Sequence, residues 1–318
     1  MSVNVSLLKR VTQRIRCDWK RFAVYCVSSM FKKNVHKLPV VNIDSATVEG
    51  FGEEWRAYDQ SGNLQDELRV VFDKYFELID WTSLSPAAVI MDVGCGSGRW
   101  ARFASEHAER IHLVDPSKAA LDVARNNLQD LDNCDFYQAS TQDLPLADGS
   151  CDLVYSLGVL HHIPNTVAGI ADCVRKLKPG APFLLYLYYR FDNRPLWFKG
   201  LWFISNMIRK FLSILPFALK KFITDLIAIG VYFPLARLSR FVEKCGGNPS
   251  TLPLSIYRNG SLYTMRTDSL DRFGTRLEHR FTRVEIQRMM EMSGLEDIRF
   301  RESEPFWCAV GYKSQVVQ

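Results

Sequence analysis

Several things are missing from this sequence of 318 residues. Its eight cysteines (Cys17, Cys26, Cys95, Cys134, Cys151, Cys173, Cys245 and Cys308) stand singly. No C-x-x-C pair occurs, so neither a zinc site nor a dithiol redox motif is expected, and no metal is assigned. Unpaired cysteines scattered through apolar stretches point to a reducing, cytoplasmic setting. No segment approaches the roughly 20 consecutive apolar residues that a spanning helix needs. The uncharged run Phe22–Phe31 follows an overlong basic stretch and lacks a small-residue cleavage site, which argues against a secretory leader. Acids are almost absent from residues 1–40, where nine Lys or Arg face Asp18 alone, a net of +8. The whole chain is +5, so residues 41–318 sum to −3. The main domain therefore lacks the positive footprint that grips a nucleic-acid backbone. The basic arm has two open readings: it lies on an anionic membrane surface, or it packs on the domain or frays.

What is present is an alternation. Ala87–Asp92 reads as a buried strand, followed by three glycines spaced two apart (Gly94, Gly96, Gly98) and a helix over Arg99–His107. Arg110–Asp115 is a second strand, and "PSKAALDVARNNL" a helix. A short strand near Asp135–Gln138, a strand over Cys151–Ser156, a helix through "TVAGIADCVRKL" and a strand over Phe183–Tyr189 follow. Thr282 and Glu285 form a capping box that opens a helix to Ser293, and Gly294 stops it. Strands near Asp297–Arg301 and Phe306–Tyr312 close the chain. The order implies an α/β fold, a doubly wound, mostly parallel sheet of seven strands. Its ligand crevice lies at the carboxyl ends of the strands, where Asp92, Asp115, Ser140 and Ser156 sit. Four regions are expected: a basic arm (1–48), a ligand-binding core (49–190), an insertion after the fifth strand (191–280) and the closing helix and strands (281–318).

The glycine turn offers bare backbone to a ligand, and an acid that ends the next strand is placed to accept hydrogen bonds from both hydroxyls of a ribose. An adenosine-containing ligand fits. The dinucleotide fingerprint fails because Arg99 stands at its third glycine, and no Gly-Lys-Ser/Thr of a P-loop follows. With "DVGCGSG", "HLVDPS", "DLPLADGSCDLVYSLGVLHHI" and "LKPGAPFLLY" in this order and spacing, the sequence resembles class I S-adenosylmethionine-dependent methyltransferases, nearest the small-molecule group with the ubiquinone and menaquinone methyltransferases. The resemblance covers about residues 50–189 and the closing elements. It implies a Rossmann-like sheet and S-adenosylmethionine as cofactor. Gly94, Gly96 and Gly98 would pass along its methionine part, Asp92 would act near its amino group, and Asp115 would hold the ribose. The loop Ser140-Thr141-Gln142 would meet the adenine. Ser140 and Gln142 replace the usual acids there, so adenine N6 must meet a neutral oxygen or a backbone carbonyl. Ser156 would line the methyl-donor side. Trp55 and Tyr58 match a region that often covers the cofactor and are assigned to the substrate side. The chain has Ser-Leu-Gly-Val where methyltransferases of exocyclic base nitrogens carry Asn/Asp-Pro-Pro-aromatic, which counts against DNA, rRNA and release-factor substrates.

His161 and His162 follow the fourth strand and are the candidate bases, although a base is needed only where the acceptor atom must lose a proton. Each could equally satisfy a backbone carbonyl. The insertion opens with an apolar, aromatic part whose cations recur every ten to eleven residues, almost three helical turns. Pro216 and Pro234 are expected to break it into shorter helices. Two readings stand: a cap over a substrate pocket, favoured, or a membrane-interface element that places the protein at the inner membrane face. The polar part carries Arg258, Arg266, Arg272 and Arg276. With Arg190 and Arg194 these could bind a phosphate or carboxylate, or pair internally with Asp192, Asp268, Asp271 and Glu278. Arg190, Arg266 and Arg272 are assigned to substrate. The expectation is methyl transfer to O or C of a small or amphipathic molecule, anionic or lipid-linked. The alternatives are an RNA methyltransferase guided by the arm and a non-catalytic S-adenosylmethionine-binding partner protein.

Overall fold

The computed structural model describes residues 42–60, 65–249 and 252–315. Two units are distinguished, Met1–Val41 and Asn42–Gln318. The basic arm up to residue 41 lies outside the described residues. The rest of the expected arm does not: helix α1 (Ser45–Ala57) runs through residue 48 without a break and belongs to the main unit. Asp44 caps it by accepting a hydrogen bond from the Thr47 N–H at 2.8 Å.

Seven strands form one sheet in the order β3-β2-β1-β4-β5-β7-β6. They are β1 (Val89–Val93), β2 (Arg110–Asp115), β3 (Cys134–Gln138), β4 (Leu153–Leu157), β5 (Pro182–Tyr186), β6 (Leu295–Phe300) and β7 (Ala309–Lys313). All neighbours are parallel except β5–β7 and β6–β7. Strands buried on both faces need unbroken apolar runs, as in "VIMDV" and "LVYSL". One face packs Met91, Val154, Ile170 and Phe183. The other packs Ile90, Ile111, Leu153 and Tyr155 against helix α2 (Gln65–Tyr75). The strand order changes direction between β1 and β4, and the crevice opens outside that point.

The helix after the glycine turn is shorter than expected. Only Ala101–Ala104 (α3) is α-helical and Ser105–His107 is a 3-10 turn, so the turn does not face the dipole of a long helix. Helices α4 (Lys118–Asn127) and α5 (Thr166–Lys176) are capped by Ser117 and Asn165.

The insertion holds α6 (Leu196–Leu212), α7 (Phe217–Ile227), α8 (Phe233–Lys244) and α9 (Leu262–Gly274), and α10 (Arg283–Met292) follows it. Pro216 precedes α7 as expected, but Pro234 does not break the path. A π-turn over Ala228–Tyr232 joins α7 to α8, so Phe217–Lys244 is one helical run of 28 residues. The widened turn accommodates a residue that can donate no N–H. By length and composition this run could cross a membrane, a correction to the expectation that no segment could. One of its faces, however, is fixed to α9: Lys220 donates to the Gly274 carbonyl at 3.1 Å, and Ser269 donates to the Thr224 carbonyl at 2.9 Å.

Candidate active site

The crevice and the insertion enclose one continuous cavity of about 1070 Å³. Its floor is the glycine turn. Gly94 and Gly96 have φ of +79° and +54°, a region that side chains rarely enter. A Cβ on Gly96 would lie 2.8 Å from the Trp55 ring, and one on Gly94 2.3 Å from Val159. Trp55 thus lies across the bare turn, and Arg99 stacks between Trp55 and Trp100 at 5.2 and 4.6 Å from their ring centroids.

Asp115 closes the floor. Its carboxylate accepts the Gly96 N–H at 3.0 Å and the Ser117 N–H at 2.8 Å. Burial pushes its pKa up to about 6, against those two bonds. Two carboxylate oxygens offer about four acceptor sites, so the pair of ribose hydroxyls can still be received. Ser140 and Thr141 form the far wall, and Thr141 Oγ1 is buried without a partner. A buried, orphaned hydroxyl is costly unless a ligand meets it. The bare turn, the acid and this hydroxyl fit an adenosine-containing cofactor.

Four expected cofactor residues and, on the substrate side, Tyr58 stand elsewhere. Asp92 lies behind the wall, because strand alternation turns Ile90 and Asp92 to the α2 face and Met91 and Val93 to the other. It accepts the Tyr155 hydroxyl at 3.0 Å, and burial pushes its pKa up to about 8. Ser156 spends its hydroxyl on the Val93 carbonyl at 2.9 Å. Gly98 gives room for α4, since a Cβ there would lie 2.8 Å from Leu128. Gln142 turns away and accepts the Asn42 N–H at 2.9 Å. Tyr58 is buried outside the cavity and donates to Asp225.

The two histidines part company. His161 is fully buried, off the cavity wall, with both ring nitrogens unpartnered and its ring 3.9 Å from those of His162 and Tyr188. Burial, then His162 and Arg280, drive its pKa well below the usual value. It cannot reach a substrate, which corrects its candidacy as a base. His162 is on the wall. Its Nδ1 lies 2.7 Å from the Leu277 carbonyl, so Nδ1 carries the proton and Nε2 keeps an unpartnered lone pair. Burial lowers its pKa, which favours that neutral form.

The insertion side is built on buried charge. The Glu278 side chain is 1% exposed and meets Arg272 at 3.2 Å and Arg280 at 2.7 Å. Burial pushes Glu278 up, but the two guanidinium groups outweigh it and hold it below its ordinary value. Arg280 also lies 5.0 Å from the centre of the Tyr188 ring and 5.6 Å from that of Trp202. Of the arginines assigned to substrate, only Arg272 reaches the cavity, paired as above. Arg266 makes a two-pronged bond to Asp225, both arms at 2.8 Å. Arg190 points outward to Glu285 and to the Arg280 carbonyl. Neither lies on the wall, because a nearer partner claims each.

Acids complete the wall. Glu54, Asp268 and Asp271 all line the cavity. Glu54 is 4% exposed, and burial together with Asp271 and Asp268 raises its pKa well above the ordinary value. Burial pushes Asp268 up to about 6, with Tyr257 as its hydrogen-bond partner. Tyr188 donates to Asp271. The sequence reasoning missed Glu54. Its signal was position: Thr47, Phe51, Glu54 and Tyr58 fall on one helical stripe, so the acid sits where an apolar residue belongs.

Residues 91–185 match the family model described as "Methyltransferase domain". With the seven-strand order, this makes residues 91–185 similar to the class I S-adenosylmethionine-dependent methyltransferases, whose members use S-adenosylmethionine. The ubiquinone biosynthesis O-methyltransferase of Hahella chejuensis is 28% identical over 145 residues, 45% of this chain and 61% of that protein. An O-methyltransferase of Pyrenophora dematioidea is 31% identical over 109 residues, 33% of this chain and 41% of that protein. The probable tRNA methyltransferase 9B of Homo sapiens is 28% identical over 108 residues, 32% of this chain and 22% of that protein. The chain spans 61% of the length of the first curated relative it matches.

Proposed function

We propose that this protein transfers the methyl group of S-adenosylmethionine to an oxygen or carbon atom of a small amphipathic molecule held beneath the insertion. One observation carries the reading: a single cavity joins the glycine turn and Asp115 to a wall of tyrosines, acids and apolar side chains from the insertion. The cofactor supplies an already activated methyl group on sulfur. The protein's part is then to align the acceptor and exclude water. Trp55 covers the turn and Asp115 receives the ribose. Where the acceptor must lose a proton, Nε2 of His162 takes it, and Glu54 is the second group on the wall able to do so.

The wall favours an acceptor whose polar end offers hydrogen-bond donors to Glu54, Asp268 and Asp271, with its apolar end against Leu201, Ile204 and Val231. Support for an anionic acceptor narrows to Arg99 and Arg194 on the wall, because Arg272 and Arg280 share Glu278, Arg194 itself pairs with Glu304, and Arg190 and Arg266 lie off the wall. The test is incubation with methyl-labelled cofactor and a fractionated metabolite and lipid extract. Label is expected in an organic-extractable product. Label in RNA, suppressed by salt, would favour the arm-guided alternative. Tight cofactor binding with no labelled product in any fraction would favour the non-catalytic one.

A further inference from the structure

The insertion wears its apolar side chains outside. Seventeen of the twenty-two exposed large apolar side chains among the described residues fall between Leu196 and Phe241. On α6 the exposed Trp197, Ile204, Met207, Ile208 and Phe211 recur at helical spacing and form one stripe. Lys199 and Lys210 are eleven residues apart, so they share one border of that stripe. On the run from α7 to α8, Phe222, Leu226, Ile229 and Phe233 make a second stripe, with Arg240 and Lys244 continuing along the same face. The stripes are the sides of α6 and α7 turned away from α9, on which both helices pack.

The charge of this surface is one-sided. Residues 196–244 contain eight Lys or Arg against Asp225 and Glu243, a net of +6 in a chain whose total is +5. Asp225 is neutralised by Arg266 and Lys221, and Glu243 by Arg258. Lys199, Lys210, Arg240 and Lys244 have neither an ion pair nor a hydrogen bond among the described residues. Leu201, Ile204, Ile208 and Val231 are exposed on this surface and also line the cavity, so the cavity opens through it.

We propose that this face docks on a bilayer leaflet containing anionic lipid, apolar stripes in the acyl boundary, lysines and arginines at the headgroups, and the cavity mouth turned to the membrane. Exposed aromatic and aliphatic side chains bordered by unpaired cations are the makeup of a surface that lies in a membrane interface. A second copy of the chain is a poor occupant, since it would bring +6 against +6. Residues 1–40 are a poor occupant for the same reason, at +8. That the acceptor enters from the leaflet rests on the methyl-transfer reading; the docking itself does not.

The experiment is flotation of the full-length protein with vesicles of phosphatidylcholine alone or mixed with phosphatidylglycerol. The comparison is the variant Phe203→Ser/Phe211→Ser/Phe222→Ser, whose three exposed positions lie off the cavity wall. The wild type is expected to float with the mixed vesicles, more weakly as salt rises. The variant should lose at least about a hundredfold in vesicle affinity, with melting temperature and S-adenosylmethionine affinity unchanged. Three results would overturn the proposal: a wild type left behind by the mixed vesicles, a variant that floats as well as the wild type, or a concentration-dependent dimer abolished by the same substitutions. Calorimetric titration of the same samples with S-adenosylmethionine reads the cofactor site separately, so a failed docking and a failed cofactor reading give different results.

Discussion

The sheet and the insertion solve opposite problems with opposite side chains. The sheet hides Ile90, Ile111, Leu153 and Phe183 at 0% exposure, and of the charged side chains on its strands it buries only Asp92 and Asp115. The insertion buries Arg209, Lys220 and Glu278 and leaves Phe203, Phe211 and Phe222 60% exposed or more. An inner surface of buried charges, Glu278 paired with arginines and Arg209 and Lys220 held by backbone carbonyls, cannot hold a domain together by apolar burial alone. Each of its ions must be matched, or the cost of removing it from water stands uncompensated. The sheet is therefore a scaffold that tolerates apolar exchange, whereas the insertion is a fitted wall in which single charges are indispensable.

The comparison can be broken at several points, from large effect to small. Glu278→Gln should cost about 3–5 kcal/mol by leaving Arg272 and Arg280 buried with no counter-charge. Thermal denaturation would measure this, and a fall under 1 kcal/mol would show that the insertion does not depend on matched ions. The sign with pH follows from the depressed folded pKa. The stabilisation from Glu278 is present above its unfolded value and disappears as pH falls through the folded one. On the sheet side, Gly96→Leu places a side chain against the Trp55 ring at positive φ. Calorimetry should find S-adenosylmethionine affinity down by at least about a hundredfold, about 2.8 kcal/mol of binding free energy.

Asp115 gives a smaller effect that is graded with pH. On the proposed reading its carboxylate form accepts the ribose hydroxyls, and its folded pKa is about 6. S-adenosylmethionine affinity should therefore be level above pH 7 and fall as pH drops through 6. Asp115→Asn should abolish that dependence. Asp92 acts on stability instead. Its pKa is raised to about 8, so its favourable contribution is whole below the unfolded carboxylate value and lost as pH rises toward 8. Asp92→Asn should flatten the fall in melting temperature over that range. The smallest change is expected from Arg266→Ala, about 1 kcal/mol for a partly exposed pair with Asp225 that leaves the aspartate its bond to Lys221, with cofactor affinity unaltered. A loss of cofactor affinity there would tie the insertion's outer pairs to the site.

What could be read in advance divides along the same line. The strand Arg110–Asp115, the capping box at Thr282 and Glu285 and the presence of seven strands all depend on local signals: alternation, caps and glycine stops. The floor of the site was legible for the same reason, since a glycine turn and a strand-end acid are neighbours in space because they are neighbours in the sheet. The wall was not. Whether Arg266 meets a substrate or Asp225 depends on a residue 41 positions away. Whether His161 or His162 reaches the cavity depends on how Tyr188 and Leu277 pack around them. Pro234 reads as a break in any sequence, and only the π-turn before it lets the helix continue. Glu54 is invisible until Asp268 and Asp271 arrive from the far end of the chain.

The pairing of β5 with β7 has a consequence for how the chain comes to be assembled. Leu185 and its partner Ala309 are separated by the whole insertion, so the sheet's central strands are made long before the strand that seals them. Until Ala309–Lys313 arrives, the edge of β5 offers unpaired N–H and carbonyl groups to any neighbouring chain. The closure spans a long loop and is slow to find. A chain lacking Ala309–Lys313 would carry a finished glycine turn beside an adhesive seam, and would be expected to aggregate rather than to work at reduced rate.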